Sequence, residues 1–457
     1  MRLAVIVQRY GADLNGGAEL HARYIAERLN RHAEVEVLTT CARDYVSWRN
    51  ELPSGSDEVN GLVVHRFPVR RERDPGEFGR RSAHVFERVH SLADELRWLR
   101  SEGPASPALV RRLRRTAATY DYLIFFSYRY YHAYHGIRAA SPQAILVPTA
   151  ERDPALGLSV FGPVFRGVRA LMYNSPEERA IIQGVSANHD VPGVVVGVGS
   201  EIPARGSARR FRSRTGIRGR LILYVGRIDE NKGCEELFDF FQRYAAEVSD
   251  QLRLVLVGSA LIDVPSHPRI HHLGFVSDEE KFDALAAADL LVMPSFLESL
   301  SMVTLEAWAM RLPVLVNGAC DVLRGQVVRA NGGLYYTSYA EFAEALNVIE
   351  THPDLRAGLA ANGRAYFDRH YTWGTIERKY LSMLERLQEE DSAETARRIE
   401  DLPSWLARRR RDRPPAREIV DALPTGPVLD RPGPGPGPGP GPGRRAPSRR
   451  RAGRARG

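Results

Sequence analysis

The chain has 457 residues, 43% of them hydrophobic, and a formal net charge of +8. Its length exceeds one ordinary core and implies two domains plus extras, and no run approaches the roughly eighteen apolar residues of a membrane span. From residue 401 onward fourteen Arg face five acidic residues, while the preceding 400 residues carry 50 basic and 51 acidic, so the excess charge belongs to a tail and argues against a nucleic-acid-binding core.

The amino terminus enters an apolar run at once, so no signal peptide is expected, and Leu3 to Val7 reads as a strand. The loop from Gly11 to Glu19 follows, then a helix from about Ala18 to Asn30. Gly16 and Gly17 let a ligand approach the free N–H groups of that helix; the alternative is a turn serving only packing. The G-x-G-x-x-G spacing of dinucleotide sites is missing. Val35 to Leu38 and Leu62 to Phe67 are further strands, and apolar spacing over residues 83–99 predicts one helix. Arg111, Arg112, Arg114 and Arg115 form a solvated helix face or a cluster that steers an acidic acceptor. Tyr122 to Phe126 and Ala144 to Val147 are short buried runs of parallel-sheet type. An aromatic loop carrying His132 and His135 follows the first, and Glu151-Arg152-Asp153 follows the second. Ser175, Pro176 and Glu178 read as N-cap, first position and capping-box acid of a helix, and Val194 to Val198 ends the domain.

Residues 200–219 lose apolar periodicity and read as a linker. Leu221 to Val225 is a strand followed by Gly226-Arg227-Ile228-Asp229-Glu230-Asn231-Lys232-Gly233 and a helix through Phe241. Such a loop brings two cations and backbone N–H groups to one diphosphate, or is a solvated basic turn. Only Lys232, Lys281 and Lys379 are lysines, so 61 of the 64 basic residues are arginine, and one of the three lysines sits here. Asp289 to Met293 is another strand. It leads into Pro294 to Met310, where Glu298 and Glu306 flank seven residues and Ser299 and Ser301 fall in the first helical turn. Carboxylates at a strand's carboxyl end suit sugar hydroxyls; the alternative is an acidic first turn favoured by the helix dipole. Past Glu390 the character changes: six Pro-Gly dipeptides, Pro432 to Gly443, precede an Arg-rich end that predicts disorder, with loose adhesion to anionic lipid as a weaker expectation.

Taken in order, VGRIDENKG, LVLVG, HHLGFVSDEEK, PSFLESLSMVTLEAWA, PVLVNGACDVLRGQ and NGGLYY resemble the retaining glycosyltransferases of family 4, over roughly residues 1–390. The resemblance implies the GT-B fold: α/β, two doubly wound Rossmann-like domains facing across a cleft, with a disordered C-terminal tail. The boundaries expected are an acceptor-side domain 1–199, a linker 200–219, a nucleotide-sugar domain 220–372, a helix 373–390 crossing back to the first domain, and the tail 391–457. It also implies transfer of a sugar from a UDP- or GDP-sugar to an acceptor hydroxyl with retention, in polysaccharide or glycolipid assembly, without metal or cofactor. Arg227 and Lys232 would grip the diphosphate, Glu298 the sugar and Glu306 the ribose. Gly16, Gly17, Gly226, Ser299, Leu300 and Ser301 would line the donor, and Glu19, His132, His135, Glu151 and Asp153 the acceptor or sugar.

One departure stands out. Similar enzymes carry His-Asp or His-Asp-Glu where this chain has Glu151-Arg152-Asp153. A Glu there accepts a hydrogen bond as the His would, but adds charge beside an anionic leaving group, with Arg152 as a candidate compensator. The alternatives are therefore a catalytically impaired GT-B nucleotide-sugar-binding protein or assembly partner, and a sugar-nucleotide epimerase. Cys41, Cys234 and Cys320 form no ligand spacing and suit a cytoplasmic protein, with a weak peripheral membrane contact as an expectation for the tail.

Overall fold

The computed structural model describes residues 1–14, 16–203, 206–249, 251–391 and 412–429. The first sheet contains β1 (Arg2–Ile6), β2 (Glu34–Thr40), β3 (Gly55–Val59), β4 (Leu62–Phe67), β5 (Tyr122–Phe126), β6 (Ala144–Val147), β7 (Ala170–Tyr173) and β8 (Gly193–Val195). Its order is β3-β4-β2-β1-β5-β6-β7-β8, and only the β3–β4 pair is antiparallel. Helices α1 (Gly17–Leu29), α2 (Pro75–Glu87), α3 (Leu92–Glu102), α4 (Pro107–Thr116), α5 (Tyr131–Ala139), α6 (Phe161–Gly167) and α7 (Pro176–Ser186) connect these strands. The second sheet contains β9 (Arg220–Val225), β10 (Leu252–Val257), β11 (Ile270–His272), β12 (Leu290–Met293), β13 (Val314–Asn317) and β14 (Gly333–Tyr336). It is wholly parallel, in the order β11-β10-β9-β12-β13-β14. Its helices are α8 (Ala208–Thr215), α9 (Cys234–Glu247), α10 (Asp278–Ala287), α11 (Met302–Ala309), α12 (Asp321–Ala330), α13 (Tyr339–Thr351) and α14 (Pro353–His370); α15 (Trp373–Asp391) and α16 (Ala416–Asp421) follow.

Both sheets are covered on both faces, as the strand alternation demands. Leu3 and Val5 join one apolar cluster while Ala4 and Ile6 join another, and Ile124 and Phe125 divide the same way. In the second sheet Leu221, Leu223 and Val225 face one cluster, and Ile222 and Tyr224 face the other. One cluster is shared: it runs from Val5 and Ile124 through Tyr380, Leu384 and Leu387 of α15 to Leu223 and Met293. Helix α15 therefore returns to the first domain. Tyr380 Oη lies 3.1 Å from His21 Nε2, and Arg169 binds Asp391 at 2.7 Å and Glu390 at 2.9 Å. Arg28 of α1 binds Glu377 at 2.6 Å and stacks 3.9 Å from the Trp373 ring.

Several local expectations are corrected. The single helix over 83–99 is two, α2 and α3, broken where Ser91 caps Asp94 N–H and Asp94 reciprocates on Ser91 N–H. Glu178 does not close a capping box: it accepts instead from Asn174 N–H and Ala150 N–H. The linker holds α8, seated by buried Phe211 and by Arg210 on Asp283 of α10 (2.7 Å from Nη2). Strand β3 was missed because GSDEV has no apolar alternation; it is an exposed, charged edge, which discourages further pairing. Finally, residues 412–429 are a packed segment rather than disordered tail. Ala416 is fully buried, α16 contacts α2 and the turn Pro154–Gly157, and Arg413 pairs with His90 through both backbone groups at 2.9 and 3.1 Å. The Pro-Gly repeat and the Arg-rich end lie outside the described residues, as does the lipid contact expected of them. No described helix is long and apolar enough to cross a membrane.

Candidate functional site

The parallel strands of each sheet diverge in opposite directions from one point, β1/β5 in the first and β9/β12 in the second, and loops leaving the carboxyl ends of strands at such a point border a crevice. In the second domain those loops are Gly226–Gly233 and Pro294–Ser301. The first is held by its neighbours and by itself: Tyr224 Oη of β9 donates to Arg227 O at 2.7 Å, Ile228 N–H to Ser259 O after β10 at 2.9 Å, and within the loop Asp229 Oδ1 accepts from Lys232 N–H at 2.9 Å. It is also seated on the second loop. Gly233 has φ +67, and a Cβ there would sit 2.2 Å from Pro294 O, so the glycine is required both by conformation and by close approach. This seating brings Lys232 Nζ to 2.7 Å from Glu298 Oε1.

A third group joins that pair from the other domain. Glu151, after β6, lies within electrostatic reach of Glu298 and Lys232, and its carboxyl forms no hydrogen bond with the described residues. Burial, then Glu298, push its pKa up to about 7, while Lys232 opposes them. Burial alone would lower the Lys232 ammonium, but Glu298 and Glu151 outweigh it and hold its pKa above the ordinary value. The loop carrying Glu151 is fixed beneath: Ala150 N–H donates to Glu178, whose buried carboxyl is itself raised to about 8 by desolvation.

Glu306 sits apart from this triad, inside α11. Its Oε1 pairs with Lys281 Nζ at 3.0 Å, and its Oε2 is buried without a hydrogen-bond partner. Burial raises its pKa against the pull of Lys281. The Ser200 hydroxyl also bears on this carboxylate, and a buried oxygen beside a cation keeps the capacity to accept from a further hydroxyl. Lys281 was missed in the sequence, although its rarity was the same signal that singled out Lys232.

The remaining expected residues divide. Gly226, at φ +156, turns the chain out of β9. Arg227 is half exposed and pairs with Asp229. Ser299 lies partly exposed beside Glu298, Leu300 is buried in the core, and Ser301 spends its hydroxyl capping α11 at Thr304 N–H, 3.3 Å away. Gly17 opens on free space, whereas Gly16 makes room for Glu19, whose carboxylate pairs with Arg9 at 2.7 Å. Asp153 is held by Arg129 at 2.7 Å and caps Ala155 N–H at 2.7 Å. Arg152 does not compensate Glu151: it binds Asp321 Oδ2 at 2.9 Å instead. The two histidines both lie on α5. His132 is fully buried with Nε2 3.0 Å from Phe126 O, and burial lowers its pKa to about 4. His135 packs on Tyr131 and Tyr134, and burial, with Arg138, Arg100 and Arg114 adding to it, lowers its pKa to about 4. An aromatic run directly after a strand reads alike whether it lines a crevice or forms the next helix.

Residues 219–351 match the family model for "Glycosyl transferases group 1". Among curated relatives, the chain is 28% identical over 201 residues to the mannosylfructose-phosphate synthase of Agrobacterium fabrum, covering 38% of this chain and 42% of that protein. It is 30% identical over 177 residues to the alpha-D-kanosaminyltransferase of Streptomyces kanamyceticus, covering 34% of this chain and 43% of that one. The chain thus spans less than half the length of these relatives. Among solved structures, the sucrose-phosphate synthase from Thermosynechococcus elongatus superimposes with a TM-score of 0.64 at 17% identity, covering 86% of this chain and all of that one. Anabaena HepE in complex with UDP and glucose gives 0.60 at 18% identity, with the same coverage of 86% and 100%.

Proposed function

We propose, from the premise that residues 219–351 are a glycosyl transferases group 1 domain on a GT-B fold, that this protein is a family 4 glycosyltransferase. It moves a sugar from a UDP- or GDP-sugar to an acceptor hydroxyl with retention, in polysaccharide or glycolipid assembly. The observation that carries this reading is the 2.7 Å contact of Lys232 with Glu298 at the point where the strands of the second sheet diverge. The two groups exchange partners when donor enters. Lys232, with Arg227 reoriented from Asp229, takes the diphosphate and stabilises its developing charge on departure. Glu298, released from Lys232, accepts from sugar hydroxyls, and the buried Oε2 of Glu306 accepts from the ribose. Glu151 stands where similar enzymes have a histidine; with its pKa raised to about 7 a protonated fraction persists at neutral pH, and that form donates to the sugar without opposing the diphosphate. No metal or cofactor takes part in this scheme; the nucleotide sugar is the co-substrate.

A thermal-shift series of UDP-, GDP-, ADP- and dTDP-sugars identifies the donor, because a ligand of the native state raises its melting temperature. Glu298→Ala is then expected to lower donor turnover by roughly a hundred-fold or more, in line with losing a transition-state contact of about 3 kcal/mol. Binding of a nucleotide sugar with no turnover in the unsubstituted protein would make it a nucleotide-sugar-binding partner instead.

A further inference from the structure

Residues 412–429 cross from one domain to the other beside the loop that carries Glu151. On the first domain, Arg417 binds Glu87 at 3.0 Å, and the carbonyl of Ala416 occupies the space that a Cβ on Gly157 would need, 2.1 Å away. At its other end Gly426 N–H donates to Asp321 Oδ1 at 2.9 Å, and Arg329 of α12 donates to Val428 O at 2.5 Å. Val428 N–H reaches back to Glu177 of α7 at 3.2 Å. Arg152 lies in the middle of these ties. Its guanidinium donates to Asp321 Oδ2 at 2.9 and 3.1 Å, to the carbonyls of Val420 and Leu423 at 3.3 Å each, and to Pro424 O. Asp321 therefore serves both, one oxygen for Arg152 and the other for the segment.

We propose that Arg152 is a positioning residue whose clamp, built from Asp321 and the 412–429 segment, sets the adjacent Glu151 against Lys232 and Glu298. This rests on the transferase reading above and deepens it. Among the described residues this loop is anchored by Thr149 on Ser127, Ala150 N–H on Glu178, Asp153 on Arg129, and Arg152 on the clamp. Only the last reaches the second domain, so only it registers Glu151 with the two residues contributed by that domain. Arg suits the task because its planar fork satisfies a carboxylate and several carbonyls at once, which an ammonium cannot. The clamp residues do not touch the donor themselves; they act through Glu151.

The test uses the full chain with Arg152→Ala, with Ala416→Arg to undock the segment from the first domain, and with both. For each, kcat, donor KM and the pH dependence of kcat are measured beside limited proteolysis of the segment. The clamp predicts a fall in kcat of roughly ten- to a hundred-fold for either single variant, as expected for a reacting group displaced by about 1 Å. It also predicts a shifted pH limb, and no further loss in the double variant, because both changes remove one constraint. Unchanged kcat and pH limb in Arg152→Ala would overturn it, and so would an undocked segment with intact kinetics, since a merely structural role lowers only the melting temperature. Additive losses in the double variant would overturn it too. If the unsubstituted protein binds donor without turnover, the same comparison is read on the donor Kd. If it neither binds nor turns over any nucleotide sugar, the transferase reading fails and takes this inference with it.

Discussion

Glu151 carries a testable consequence of its surroundings. Its pKa rises from 4.5 to about 7, so the folded state holds a proton that the unfolded state releases between those values. The stability this group contributes is full below about pH 4.5 and is lost as pH climbs through 7, the direction expected of a raised carboxyl. Glu151→Gln removes that loss. The variant is expected to match the parent near pH 4.5 and to exceed it by on the order of 2 kcal/mol at pH 8, read from urea unfolding at the two pH values. Equal stability differences at both would mean that the carboxyl titrates normally. Not all of this was legible beforehand. Lys232 and Glu298 were found because each sits in a window with an internal pattern. Lys281 and Asp321 were missed because each acts through a partner distant in sequence, and nothing local distinguishes it from a surface charge; Glu178 was read as a capping acid, and its tie to Ala150 N–H had no local sign. Scarcity was a usable signal applied to Lys232 alone: Lys281 donates to Glu306 at 3.0 Å and Lys379 to Val196 O at 3.1 Å, so each of the three lysines has a protein partner.

At the scale of elements, the site depends on two loops that touch backbone to backbone. Gly233→Ala adds a Cβ 2.2 Å from Pro294 O at φ +67, and is expected to cost roughly 2–3 kcal/mol and to part Lys232 from Glu298. Gly216→Ala is the control, since φ is +69 there but nothing lies within 4 Å of the added atom, leaving only conformational strain of about 1 kcal/mol. Chemical denaturation and donor affinity separate the two: both variants lose stability, and only the first loses affinity. The parallel strands were legible because burial on both faces writes continuous apolar runs such as YLIFF. Elements held by charge left no such mark. Helix α8 has one buried apolar residue, Phe211, and hangs from an arginine, while the α2–α3 break was hidden by apolar spacing that carries through it.

For the whole molecule, the two domains share an apolar cluster and are also joined by polar ties, one of them deeply buried. Arg329 Nη2 lies 3.1 Å from Glu177 Oε2, with only 5% and 2% of the two side chains exposed. Arg329→Ala leaves a buried carboxylate without its cation and is expected to cost about 3–5 kcal/mol in chemical denaturation, most of it recovered by also replacing Glu177 with Gln. No recovery in the double variant would mean that the arginine acts through packing or Val428 instead. The two-domain, doubly wound architecture was legible from the alternation of strands and helices. The segment 412–429 was not, because its composition is that of a solvated tail and its docking uses backbone carbonyls, which every sequence possesses. The scarcity of lysine has a practical sequel. A reagent that acylates primary amines finds three side-chain targets in the entire polypeptide, two of them paired with the acids assigned to the sugar and the ribose. Mass spectrometry of so sparse a pattern reads occupancy of the crevice almost without background, with Lys379 as the internal standard.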